Sequence, residues 1–310
     1  MGRFDDRARN GDRGFGDLLV WQLGLKEGDD HAARPAWTNI PIAEDPTAAL
    51  RQANGRPQVS WFGHASAHIR LGGASFLVDP VEGDAFMVPR KTQPVPISRI
   101  VPKPSAVLVT HNHYDHMDEK SLLQYPKTTP IVAPLGLGDW FVRRGFTNVS
   151  EFDWWQSTVI DDVRVTFVPS QHWSRRGLFD QNNSLWGGYV FEGSGYTVHH
   201  AGDSGYTDDF GEIGRRFPNV DLAFIPIGAY APRWFMKPAH MNPVEAIKTA
   251  RDVGAGALVP IHYGTFILTD EPLGEPPALL EMHAEDEGFK DVRFLPVGGS
   301  MYLDGDRETV

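Results

Sequence analysis

The sequence predicts an α+β domain in which two sheet-containing halves pack into one sandwich. Two observations predict it. From about Val59 onward, short apolar runs bounded by Gly and Pro recur, and many of them end on a histidine or an aspartate. The same logic is used in both halves: a hairpin turned at Gly72-Gly73 leads to Asp79, and a hairpin turned at Gly195 leads to Asp203.

Composition sets the bounds. With 310 residues, 41% of them hydrophobic and 22% charged, the chain is long enough to bury a substantial core. A net charge of -11 argues against a broad nucleic-acid surface, so no nucleic-acid partner is expected. There is no cysteine, which excludes disulfides and thiolate ligands and leaves His, Asp and Glu to hold any metal. The first residues lack the apolar core of a signal peptide, and no apolar run is long enough to span a bilayer. The expected location is cytoplasmic, with peripheral membrane contact as an option.

Residues 1–58 read as an N-terminal arm and wrapping segment, and 59–310 as the main domain. Residues 1–13 are polar. Phe15 to Leu25 reads as a short apolar helix packed on the domain, with contact to lipid or a substrate entrance as the sharper reading. Lys26 to Gln58 reads as an extended wrap. Strands are expected at Val59–His64, Ala67–Leu71, Ser75–Pro80, Ser105–Val109, Pro130–Pro134, Val149–Asp153, Val163–Val168, Tyr189–Glu192, Tyr196–His200, Leu222–Gly228 and Ala257–Ile261, with Val292–Val297 closing the sheets. Helices are expected after Asp118, over Leu137–Arg144, and from Asn242 to about Val253, the last with Asn242, Pro243 and Glu245 as cap signals.

The chemistry centres on Thr110-His111-Asn112-His113-Tyr114-Asp115-His116, where four potential ligands occupy six positions behind an apolar strand. Open α/β sheets place their chemistry on such strand ends. His172, Asp203 and His262 follow later strands in the same way. Seven donors are too many for one zinc, which usually takes four, and suit two ions sharing a carboxylate. Imidazole and carboxylate favour two Zn²⁺; iron and manganese accept the same donors.

These residues resemble a known family. His111-Asn112-His113-Tyr114-Asp115-His116 is similar to the H-x-H-x-D-H signature of the metallo-β-lactamase superfamily, and His172, Asp203 and His262 come in that family's order. Further stretches resemble the N-acyl-phosphatidylethanolamine-hydrolysing phospholipase D family: Trp61-Phe62-Gly63-His64-Ala65, Pro169-Ser170-Gln171-His172-Trp173, Ala201-Gly202-Asp203-Ser204-Gly205 and Pro232-Arg233-Trp234-Phe235-Met236. The resemblance runs from about residue 59 to 303, with Tyr263 where that family has Trp. It implies an αββα sandwich, two mixed sheets flanked by helices. It also implies one zinc on His111, His113 and His172, the other on Asp115, His116 and His262, and Asp203 bridging. The reaction implied is hydrolysis of a lipid phosphodiester, with a hydroxide shared by the two ions attacking phosphorus.

Other residues are weighed beside these. Asp79 and His64 are candidates for orienting ligands from behind, against a strand-end turn or a core histidine. Asp115, Asp203 and His240 are the catalytic candidates. Tyr114, Tyr230, Arg233 and His240 are the substrate-binding candidates. Trp154-Trp155, Trp173 and Trp234-Phe235 either wall an acyl groove or pack the core. His199 and His200 read as packing, His31 and His283 as surface residues. A rival reading keeps the fold and changes the substrate to lactones, β-lactams or other esters and amides. An iron redox protein is less favoured, because His113 stands where such relatives carry Glu. A small-molecule or lipid substrate and a homodimer complete the expectations.

Overall fold

The computed structural model of the chain describes residues 2–8, 15–26, 28–31, 34–47 and 55–304. Runs that are apolar on both faces fold as short central strands, because only pairing on two edges satisfies their backbone while both faces stay dry. The first sheet begins as an antiparallel meander, β1 (Gln58–Trp61), β2 (Ala67–Leu71) and β3 (Ala74–Val78). It continues through parallel strands β4 (Ala106–Leu108), β5 (Ile131–Pro134) and β6 (Val149–Phe152). The second sheet repeats the scheme. Strands β7 (Ser157–Ile160), β8 (Val163–Val168), β9 (Gly188–Gly193) and β10 (Tyr196–His200) are antiparallel, and β11 (Leu222–Pro226) and β12 (Ala257–Ile261) join them in parallel. The last strand, β13 (Gly299–Tyr302), returns to pair with β1, so the first sheet runs β13-β1-β2-β3-β4-β5-β6 and the second β12-β11-β10-β9-β8-β7.

The two sheets face each other. Phe76 of β3 meets Phe191 of β9 with ring centroids 5.2 Å apart, and the Tyr189 hydroxyl donates across the gap to the Val109 carbonyl at 2.8 Å. Helices flank both sheets. On the first lie α2 (Ile97–Ile100), α3 (Glu119–Leu122) and α4 (Gly138–Val142); α4 packs against β6. On the second, α7 (Pro243–Asp252) packs on β11, β12, α5 (Asp209–Arg216) and α8 (Glu275–Asp286), with the short α6 (Arg233–Met236) before it. Asn242 caps α7 in a reciprocal capping box with Glu245, and Asp118 caps α3 by accepting from the Ser121 amide. This is the two-sheet α+β sandwich that the sequence predicts.

Three details differ from the sequence reading. Val292 to Val297 forms no strand: it makes only single bridges, Leu258 to Val292 and Ile42 to Val297. Pro296 has no amide to donate, and Gly298 turns the chain at φ +85°, so pairing resumes only at β13. Strands β7 and β13 and helices α2, α5, α6 and α8 are not among the elements the sequence predicts. In α8 the Pro276-Pro277 pair at the first turn is the available signal, and burial around most of its first half erases any amphipathic period. His31 is not a surface residue, since its ring lies against the buried carboxylate of Glu275 at 2.7 Å.

Of the described N-terminal residues, Trp21, His31 and Trp37 lie against α6, α8 and the turn before α8, whereas Arg7 pairs with Asp153 and Ile42 and Ala43 with Val297. Helix α1 (Phe15–Gln22) stacks Trp21 on Phe235 at 5.2 Å and donates from its indole to Asp270, while Leu19, Leu23 and Leu25 stay exposed. Among the described residues, no helix is long and apolar enough to cross a membrane.

Candidate metal centre

Strands deliver the functional side chains to one edge of the sandwich. Strand β4 runs into Thr110 and His111, β8 precedes His172, β10 precedes Asp203, and β12 ends on His262. The two sheets are joined there by the His262 amide, which donates to the His64 carbonyl at 2.9 Å. His64, Asp79 and His262 all take left-handed backbone, at φ 51°, 45° and 61°. Such conformations are costly for residues with a Cβ and gather at functional sites. Here they occur where the chain leaves a strand.

Three imidazole nitrogens converge first. His111 Nε2 lies 2.9 Å from His113 Nδ1, and His172 Nε2 lies 3.3 Å from the same atom. A second group forms from His116, His262 and Asp115. The Nε2 atoms of both histidines lie 3.7 Å from Asp115 Oδ2. Asp203 Oδ2 stands between the groups, 3.1 and 3.0 Å from His116 and His262, and 3.9 and 3.8 Å from His111 and His172.

The far sides of His111, His116 and His172 are held from behind, while His113 Nε2 and His262 Nδ1 are buried without a hydrogen-bond partner. Asp79, fully buried, accepts from the Thr110 amide and hydroxyl and from His116 Nδ1 at 2.7 Å. The Thr110 oxygen in turn lies 3.0 Å from His111 Nδ1, so one carboxylate orients two ligand rings. His64 donates to Asp115 at 2.8 Å, and His172 Nδ1 donates to the Ala239 carbonyl at 3.0 Å. Arg176 braces the loop itself through the carbonyls of Asn112 and Met117.

Charge is divided unevenly across the cluster. Burial pushes His113 down to about 3 and His172 down to about 4, and it holds His111 well below the ordinary imidazole value. Burial acts the same way on His262, but Asp203 and Asp115 overcome it and lift that ring to about 9; His116 is likewise held well above 6.5. Burial alone would raise Asp203, yet His116 and His262 keep its carboxyl well below the usual range.

This donor set fits a metal ion. His111 and His172 place their ring protons on Nδ1, so both Nε2 atoms present lone pairs toward His113 Nδ1. Bonds of about 2.0–2.1 Å to one tetrahedral zinc put ligand atoms about 3.3 Å apart; the spacings found are 2.9 and 3.3 Å. Asp203 Oδ1 is buried and makes no hydrogen bond, a costly state that a cation relieves.

The profile of the beta-lactamase superfamily domain matches residues 75–263. The chain belongs to the metallo-β-lactamase superfamily. It is 34% identical over 270 residues to N-acyl-phosphatidylethanolamine-hydrolyzing phospholipase D 1 of Caenorhabditis elegans, covering 80% of this chain and 76% of that protein. It is 30% identical over 252 residues to a metal-dependent hydrolase of Shouchella clausii, covering 79% of this chain and all of the other. Among solved structures, a metallo hydrolase from the archaeon Ignicoccus hospitalis shares the fold, with a TM-score of 0.62 at 21% identity over 79% of this chain and 97% of that one. The chain is thus a metal-dependent hydrolase of this superfamily.

Around this metallo-β-lactamase site the remaining candidates separate. His240 comes to the cluster: its ring lies 5.0 Å from His172 and 5.3 Å from His262, and its Nδ1 is buried without a partner. Tyr114, within the ligand loop, donates to the Arg176 carbonyl and stacks on Phe86. Tyr230 and Arg233 are not brought to the ligands. The Tyr230 hydroxyl is held by Glu275, while Arg233 pairs with Glu245 and donates to the His240 carbonyl. Both line a cleft of about 500 Å³ to which no ligand residue contributes. Through its bond to the His240 carbonyl, Arg233 fixes the backbone of that residue. Of the tryptophans, Trp173 lies against His113 at 4.4 Å; Trp154 donates to the Trp186 carbonyl and Trp155 lies under Arg216, away from the ligands. Thr110, Arg176 and Glu271 escaped the sequence reading. Glu271 is buried and accepts from the amides of Ala229 and Ala231, fixing the loop that leads to Arg233.

Proposed function

We propose that this hydrolase is a dinuclear zinc phosphodiesterase of phospholipase D type acting on N-acyl-phosphatidylethanolamine-like lipids. The observation that carries the reading is the pairing of a seven-residue ligand cluster with 34% identity, over most of both chains, to a phospholipase named for that substrate. His111, His113 and His172 would hold one ion, and Asp115, His116 and His262 the other, with Asp203 between them. Zinc ions held there would supply Lewis-acid activation of water and neutralise negative charge on the phosphoryl oxygens.

The chain's own residues do the rest. Asp79 and His64 fix the orientation of His116 and Asp115, so the ligand atoms are in place before substrate arrives. His240, whose carbonyl Arg233 holds and whose ring lies beside His172, would hydrogen-bond a phosphoryl oxygen or the leaving oxygen. The diester breaks on the head-group side, giving a phosphatidate and an N-acylethanolamine or other alcohol.

The test is a substrate panel of N-acyl-phosphatidylethanolamine, short-chain lipid diesters, acyl lactones and β-lactams, run with zinc counted per chain. Turnover of the lipid diesters with about two zinc ions per chain is expected. Preference for lactones or β-lactams, or full turnover by a folded, metal-depleted sample, overturns the reading.

A further inference from the structure

Two loops beside the metal centre carry exposed apolar tips. In the loop after β3, Phe86 and Met87 are 67% and 80% exposed; in the loop after His172, Leu178 and Phe179 are 76% and 94% exposed. In a chain with this much core, four large apolar side chains in solvent on two adjacent loops require a reason. Both loops are locked to the ligand loop through one residue. Tyr114, between His113 and Asp115, stacks on Phe86 with centroids 4.5 Å apart, donates to the Arg176 carbonyl at 2.9 Å, and lies 4.1 Å beneath the Arg176 guanidinium. A third loop joins this rim: Ile267 is exposed next to Phe266, which packs with Val81 and Ala85 at the base of the Phe86 loop.

We propose that these tips form an interfacial anchor that seats the metal centre on the surface of a phospholipid bilayer; this rests on the lipid-diester reading above. The shape of the rim favours a fluid surface over a protein. The side chains protrude from separate loop tips, whereas a stable protein interface needs a continuous complementary face. Insertion into the head-group region needs only apolar tips at one level with cations behind them. The cations are present. Lys91 is exposed behind the Phe86 tip, and Arg175 donates to the carbonyls of Gly177 and Leu178 beneath the second tip. The acids of the two loops each accept a local amide, Glu82 from Ser98, Asp84 from Arg90 and Asp180 from Arg176 and Gly177, and are outnumbered by Arg90, Lys91, Arg175 and Arg176. In a chain of net charge -11, that leaves the rim suited to phosphate head groups.

The experiment is vesicle flotation of the zinc-loaded full chain, with phosphatidylcholine alone and mixed with phosphatidylglycerol. The parent floats with both. The triple variant Met87→Ser, Leu178→Ser, Phe179→Ser is expected to lose vesicle binding about tenfold or more. Its zinc content and its turnover of the soluble diester bis(p-nitrophenyl) phosphate stay within about twofold, since Phe86 keeps its stack on Tyr114. The pair Lys91→Ala, Arg175→Ala loses only the extra binding to phosphatidylglycerol vesicles. A triple variant that floats like the parent overturns the proposal. So does a parent that never floats, or a triple variant that only turns a dimer into a monomer on size exclusion, which would give the tips to a second copy. A parent that floats through these tips but hydrolyses no diester supports the anchor and removes the phosphodiesterase reading instead.

Discussion

The two halves of the ligand cluster use the same residue types and set them in opposite electrostatic states. Behind His111 and His172 stand a hydroxyl and a backbone carbonyl, both neutral, and burial leaves these rings and His113 uncharged. Behind and beside His116 and His262 stand carboxylates, Asp79, Asp115 and Asp203, and these two rings hold protons in the metal-free chain. One half is ready to accept a cation. The other must exchange protons for it. Histidine identity alone therefore does not describe a metal site; the charge of the groups packed around each ring does.

The comparison is broken most completely at the shared residue. Asp203→Asn removes the charge common to both halves and is expected to lower diester turnover by about 10³-fold or more, with zinc lost from both; activity and metal per chain read this directly. Asp79→Ala takes away the carboxylate behind His116 and is expected to weaken zinc binding by about 10- to 100-fold, with the His116 half emptying first in a chelator titration. His64→Ala frees Asp115 and should weaken the same half by about tenfold while the three-histidine half keeps its ion; equal loss from both halves would erase the distinction.

A different readout, stability against pH, also separates the halves. His262 raised to about 9 adds stability that is complete below 6.5 and lost as pH climbs through about 9, on the order of 3 kcal/mol. The depressed rings His113 and His172 act in reverse, and stability falls as pH drops below 6.5 toward their values of about 3 and 4. The stripped protein should thus melt highest near neutral pH. Zinc should flatten the alkaline arm by replacing the protons on His116 and His262. Melting curves from pH 5 to 9.5, with and without zinc, check it.

The ligand cluster is legible in the sequence because each ligand follows an apolar strand, so a local pattern reports a long-range convergence. The sandwich is legible for the same reason, through the hairpins at Gly72 and Gly195. What is not legible depends on partners far along the chain. Tyr230 and Arg233 look free in sequence, and only the fold shows Glu275 and Glu245 occupying them. Arg176 holds backbone carbonyls of the ligand loop, which no residue pattern announces. Helix α8 hides because it is buried too widely to show a helical period.

Asp79 has a consequence for how the centre fills. Through Thr110 it steadies His111, and directly it steadies His116, one ligand from each half. A cation that fixed either ring would be felt at the other through this one carboxylate, so the two groups would not fill independently.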